Sequence, residues 1–270
     1  MKRLFSPTAR KVAAIPLVVV LVVMLFPFYV IGRSAMESED ASGLAHLSLR
    51  NWRVLFAHLP VARQLFNSTV ITLGSVTVIL LVSALAAFAL TKLRLRGGGP
   101  LLSVIAASMM IPMQSIILTE FINFASLGLS DNMLSVILTY AALGVPFGCF
   151  LLTSFMRDLP DELVEAAQID GMAYWRMFLH VILPLSVPAL LAVGVLQFIQ
   201  IWDDLLVALI FLQEPTVRTI TVGLAVLQSG RVLDIPVLLA GSLLSAVPAM
   251  AAYLLFQRYL IGGLMLGIGK

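Results

Sequence analysis

The sequence predicts an all-α, polytopic membrane protein with six transmembrane helices, and three observations carry that prediction. Hydrophobic residues make up 60% of the chain and charged residues 11%, where a soluble domain carries about a quarter charged residues. Apolar runs of spanning length, about 20 residues each, recur at 12–31, 68–90, 101–119, 133–153, 185–212 and 237–257. The loops between them are unevenly basic. With both termini inside, Lys2, Arg3, Arg10, Lys11, Lys92, Arg94, Arg96, Arg157, Arg176, Arg258 and Lys270 are cytoplasmic. Arg33, Arg50, Arg53, Arg63, Arg218 and Arg231 are then outside, an 11-to-6 bias that fits the positive-inside rule.

The first run follows a basic leader but is longer than a secretory h-region of about 7–15 residues, and no small-residue cleavage site precedes Arg33, so it reads as a retained helix. Residues 32–66, with Glu37, Glu39, Asp40, Asn51 and Trp52, read as a folded outer loop rather than a domain. The expected division is therefore 1–66 (tail, first helix, outer loop) and 67–270, a five-helix core. Asn67-Ser68-Thr69 matches a glycosylation acceptor, a chance match at a helix entrance. The glycines of the Arg94–Gly99 turn need not cradle phosphate, because no strand precedes them and no Lys-Ser/Thr follows. With no nucleotide-binding loop elsewhere, any ATP chemistry belongs to a partner. Pro112 breaks the third run and Pro146 the fourth, and the carbonyls they free require protein neighbours or cavity water.

Other classes fall away on composition. The net charge of +3 is dispersed, with no basic stripe interleaved with aromatics, which argues against nucleic acid. Cys149 is the single cysteine, so no internal disulfide forms, and no His/Cys cluster has metal-ligand spacing. No nucleophile–base–acid set gathers on one membrane face, which argues against an enzyme.

The one long polar segment of the C-terminal two-thirds is 159–184, LPDELVEAAQIDGMAYWRMFLHVILP. Pro160 suits a first helical turn, and Asp161 and Glu162 favour the positive helix end. Leu163, Ala166, Ala167 and Asp170 follow at helical spacing, and Gly171 supplies the left-handed stop. A second helix, 173–180, leads into Leu183-Pro184. The segment reads as a helix–glycine–helix elbow at the membrane surface.

Glu165-Ala166-Ala167, three residues, Gly171, a β-branched Val181 and Leu183-Pro184 together resemble the EAA signature of ABC importer inner-membrane permeases. The family has isoleucine where Val181 stands. Ile169-Asp170-Gly171 is similar to the form in the carbohydrate-uptake branch, which includes the smaller maltose-transporter permease. Asn51-Trp52, Asn67-Ser68, Leu127-Gly128-Leu129, Trp202-Asp203-Asp204-Leu205 and a tail of Gln257-Arg258-Tyr259, Gly263, Gly267 and Lys270 also resemble that branch. Aspartate replaces asparagine at 203, and Thr119-Glu120-Phe121 replaces a proline-containing stretch, so no contact is carried over there.

The resemblance covers 51–270 and implies a MetI-like fold and a subunit of a binding-protein-dependent importer. Its expected partners are a homologous second permease, two cytoplasmic ABC ATPases, an extracytoplasmic solute-binding protein and the lipid of a bacterial or archaeal cytoplasmic membrane. ATP and Mg belong to the ATPases, and this chain is expected to bind no cofactor. Glu165, Ala166, Ala167, Asp170, Gly171, Leu183 and Pro184 are the implied ATPase-coupling residues.

For the transport pathway, Gln114, Tyr140, Gln197, Gln200, Asp203 and Asp204 are candidates, because sugars need hydrogen-bonding side chains and aromatic faces. Gln197, Gln200 and Asp204 share one helical face. For each amide or hydroxyl alone, an interhelical hydrogen bond is the competing reading. The aspartates fall near the outer boundary and equally fit contact with interfacial water, and Trp202 reads as an aromatic-belt anchor. Gly241, Ser245 and Ala249 form a small-residue packing strip. The function expected is import of a sugar or sugar-like solute by alternating access. The alternatives are an ABC permease for another small solute, or an ion-coupled secondary transporter using Asp203 and Asp204.

Overall fold

The computed structural model describes residues 7–39, 45–93, 95–229 and 235–266. Lys2, Arg3, Asp40, Arg94, Arg231, Gly267 and Lys270, used above, lie outside them. The chain divides into two units, Met1–Pro60 with Leu224–Ala246 and Val61–Gly223 with Val247–Lys270.

In the first unit, α1 (Pro7–Met36) is one long helix whose side chains from Ile15 to Val30 are all exposed. A helix apolar all round has no solvated face and calls for lipid or a partner. Strands β1 (Glu37–Glu39) and β2 (Ala45–Leu47) then form an antiparallel ribbon with Glu37 opposite Leu47, followed by α2 (Arg50–His58). Asn51 Nδ2 donates to the carbonyls of Ser34 (3.3 Å), Ala35 (3.2 Å) and Glu37 (2.8 Å). It satisfies carbonyls that the end of α1 leaves without helical partners. One buried amide thus ties α2 to the end of α1.

The second unit is built on α3 (Val61–Thr91) and α6 (Met133–Arg157). They run parallel: Gly74 meets Ile137, Ile79 meets Gly144, and Ser83 meets Gly148. Cβ atoms at Gly144 and Gly148 would collide with Ile79 and Ser83, so the missing side chains set how closely the helices approach. Between them in sequence come α4 (Gly98–Ser108) and α5 (Met113–Ser126), which meet at 92° with Pro112 at the break. Pro146 differs from expectation: α6 passes through it unbroken. Ala142, whose carbonyl loses its donor to the proline, lines a cavity with Pro146, and that satisfies the condition for a proline inside a span.

Next follow α7 (Glu162–Ile169), α8 (Tyr174–Met177), a π-helical turn (Phe178–Ile182), α9 (Leu183–Leu185) and α10 (Val187–Asp203). The fifth apolar run therefore bends, by 73°, at Ser186, and it ends at Asp203 rather than continuing to 212. The chain completes with α11 (Leu206–Phe211), α12 (Ile220–Ser229) and α13 (Ile235–Leu266). Among the described residues, four helices are long and apolar enough to span a membrane alone, and six spans result if each bent pair counts as one. Gly241 of α13 lies against Leu224 and Leu55, where a Cβ would clash, as the packing strip predicts.

Candidate functional site

The elbow occupies the C-terminal end of α3. Its start lies slightly later than expected: Pro160 precedes the helix, its carbonyl accepts from Leu163 N (3.3 Å), and α7 begins at Glu162. Val164, Ala167, Met177, Phe178 and Ile182 are buried against Ala84, Ala87, Phe88, Leu152 and Met156. The rings of Phe88 and Phe178 sit 5.2 Å apart. At the bend Gly171 has φ +72. Its N–H donates to Gln168 O (3.0 Å) and Met172 N–H to Ala167 O (2.9 Å), the paired bonds of a Schellman stop. A side chain at 171 would be strained for backbone reasons alone, because space around it is open.

The opposite face of the elbow is turned away from the bundle. Glu165, Ala166, Ile169 and Asp170 are exposed, Ile169 to 86%. The Glu165 side chain has no hydrogen-bond or ion-pair partner among the described residues. Of the predicted coupling residues, Ala167 and the half-buried Leu183 join the core, while Gly171 makes the turn and Pro184 lies exposed in α9. The second helix runs on past His180 through the π turn, with Leu183 N–H bonded to Phe178 O.

Sequence reasoning missed a residue here. Lys92, counted only as a loop charge, is buried: its Nζ donates to Leu159 O at 2.6 Å and pairs with Asp161 Oδ1 at 2.9 Å. It fastens the elbow's entry to the end of α3. No local pattern marks it, since its partners lie nearly 70 residues away.

At the other end of α3, Asn67 Nδ2 donates to Thr216 O and Arg218 O (both 3.0 Å), and Ser68 Oγ accepts from Ile220 N (3.0 Å). The Asn-Ser pair is thus a tether between α3 and the segment leading into α12.

Between these ends lies a cavity of about 450 Å³ bounded by α4, α5, α6 and α10. Tyr140, Gln197, Gln200 and Asp204 line it together; Gln114 and Asp203 are exposed and do not. Tyr140 Oη donates to Asp204 Oδ1 (2.7 Å), which also accepts from Val207 N (2.9 Å). Asp204 leaves the helix in extended conformation, so this bond, and not helical spacing alone, aims it inward. Gln197 is 4% exposed and sits beside Gly144, where a Cβ would come within 2.8 Å of its Oε1. Glu120, set aside in the sequence, also lines the cavity, with its Oε2 shielded from that space. The apolar run was ended one residue before it, at 119. Trp202 is 3% exposed and stacks on Phe198 at 5.6 Å, so it is buried and not a belt anchor.

The family described as "Binding-protein-dependent transport system inner membrane component" matches residues 79–261, which include the elbow and the four helices that bound the cavity. The chain belongs to this family. It is therefore a multi-pass membrane permease, not an enzyme. It is 32% identical to the sulfoquinovosyl glycerol transport system permease protein of Agrobacterium fabrum, over 82% of this chain and 77% of that one. It is 28% identical to the diacetylchitobiose uptake system permease protein of Streptomyces coelicolor, over 98% and 89%. A chain in the crystal structure of a bacterial ABC transporter involved in the import of the acidic polysaccharide alginate superposes with a TM-score of 0.82 at 21% identity, over 96% of this chain and 99% of that one, and so shares the fold.

Proposed function

We propose that this permease is one of two homologous membrane subunits of an ATP-driven importer for a sugar or sugar-like solute. An extracytoplasmic binding protein delivers the solute, and two cytoplasmic ATPases drive the cycle. The observation that carries this reading is the elbow: one face is packed into the bundle, and the other presents the exposed Ile169 and a Glu165 side chain with no partner among the described residues. An exposed apolar knob beside an unpaired anion suits a partner groove that has an apolar floor and a basic rim. Because its inner face shares a core with α6 and α10, force applied to the elbow reaches two helices that wall the cavity. The glycoside cargoes in the names of the Agrobacterium and Streptomyces relatives support carbohydrate as the solute class.

In this mechanism ATP and Mg act in the partner subunits, and this chain contributes positioning. The Schellman turn holds the lever angle, the Lys92 clamp fixes its root, and the cavity side chains meet the solute as it passes. Alternating access follows when closure of the two ATPases draws paired elbows together. Gly171→Val tests this reading. It forces a β-branched residue into a left-handed conformation at a cost of about 1–2 kcal/mol. The expected result is normal membrane insertion with ATP-linked uptake reduced at least about tenfold; wild-type uptake in that variant would refute the lever.

A further inference from the structure

The bend at Ser186 leaves a notch that the transport pathway does not use. The elbow's second arm, Tyr174–Leu185, meets α10 at 73°, and α3 supplies the third wall of the angle. The groove so formed holds about 330 Å³, and every side chain lining it is Leu, Ala, Phe or Trp. Leu80, Leu81 and Leu85 come from α3, Trp175 and Leu179 from the elbow, and Leu190 from α10. Leu85 and Leu80 lie about 9 and 17 Å of helix before the end of α3 at Thr91, which matches the depth of one leaflet, about 15 Å of hydrocarbon. Water finds no polar partner in such a groove. A helix does not fit either, because one turn about 10 Å across and about 5.4 Å long takes roughly 400 Å³. A flexible hydrocarbon chain does fit.

The rim of the groove is basic. Between Gly171 and Ser186, Arg176 and His180 are the only Asp, Glu, Lys, Arg or His residues, and both are exposed. Trp175 and Leu179 are one turn apart, and so are Arg176 and His180, so the basic row borders the apolar one. The Arg176 side chain has no hydrogen-bond or ion-pair partner among the described residues. His180 Nδ1 donates to Arg176 O at 3.0 Å, which leaves Nε2 available. An exposed tryptophan above an apolar groove, beside a free guanidinium, matches a phospholipid with its chain below and its phosphate at the rim.

We infer that this groove binds one anionic phospholipid of the leaflet next to the elbow, with an acyl chain between α3 and α10 and the phosphate on Arg176. This rests on the elbow lying at a membrane surface, as proposed above.

The test needs neither cargo nor ATP. The full chain is placed in phosphatidylcholine vesicles containing equal fractions of brominated phosphatidylglycerol or brominated phosphatidylcholine. Tryptophan quenching is compared with that in Trp175→Phe, and the difference reports lipid at Trp175. Phosphatidylglycerol is expected to be preferred about fivefold, the order that one basic side chain gives near anionic lipid. Arg176→Gln is expected to remove the preference and Arg176→Lys to keep it, while Arg96→Gln, exposed in the turn before α4, leaves it in place. A preference below about twofold in the parent chain, or an equal loss in Arg96→Gln, would overturn the inference. Photoreactive p-benzoylphenylalanine in place of Leu179, irradiated in cells, then captures the occupant in the assembled transporter. A phospholipid adduct is the expected product, and a protein adduct, or none, would overturn the inference. Uptake by the Gly171→Val variant is a separate measurement, so failure of the lipid site and failure of the importer reading are told apart.

Discussion

At the scale of single residues, the most consequential side chain is one that the sequence presents as ordinary. Lys92 stands in a basic inner loop, where charge counting assigns it only to a side of the membrane. The structure buries it beneath the elbow, with the carbonyl of Leu159 and the carboxylate of Asp161 as partners. Asp161 is half exposed, which screens the ion pair, so most of the cost of losing the lysine comes from the orphaned carbonyl. Lys92→Met keeps the apolar stem and removes both bonds. It is expected to weaken the elbow's anchorage by about 1–2 kcal/mol, and so speed amide hydrogen exchange across 159–170 by roughly tenfold. Unchanged exchange there would mean that the clamp contributes nothing. Trp202 carries the opposite lesson. Its position at a helix end fits an interface anchor, yet its ring is stacked on Phe198 inside the fold.

At the scale of elements, the tightest packing is between α3 and α6, and glycine makes it possible. A visible small-residue strip at Gly241, Ser245 and Ala249 drew attention to the last helix, but Gly144 and Gly148, four residues apart on α6, admit Ile79 and Ser83 of α3. Gly148→Val would drive a branched side chain into Ser83, whose Oγ bonds Val145 O at 3.2 Å. Overpacking of this kind costs about 1–3 kcal/mol. The expected outcome is a lower unfolding temperature in detergent and, because Gly144 beside it gives room to Gln197, a distorted cavity. A variant with wild-type thermal stability would show that the helices are not in contact at this point. The π turn at Phe178–Ile182 belongs to this scale as well. One extra residue in the turn lets Phe178 and Ile182 both reach the core, and at Ser186 the chain bends by 73° from α9 into α10.

At the scale of the whole molecule, sidedness follows from loop charge and from the elbow. If residues 159–184 face the cytoplasm, a thiol introduced by Gln168→Cys, exposed on α7, reacts with a membrane-impermeant maleimide only in inside-out vesicles. Labelling of intact cells would reverse the orientation and remove the ATPase from reach. The sequence by itself determined the membrane class, the apolar runs and the elbow with its glycine stop. Each of these rests on local composition or on short-range spacing: a bilayer demands about 20 apolar residues, and a left-handed residue demands glycine. Tertiary structure alone decided that Pro146 leaves its helix whole, that Lys92 locks the elbow, and that Glu120 joins Tyr140, Gln197 and Asp204 around one space. Those outcomes depend on which distant residue supplies a partner or leaves a gap, and a one-dimensional pattern does not contain that distance.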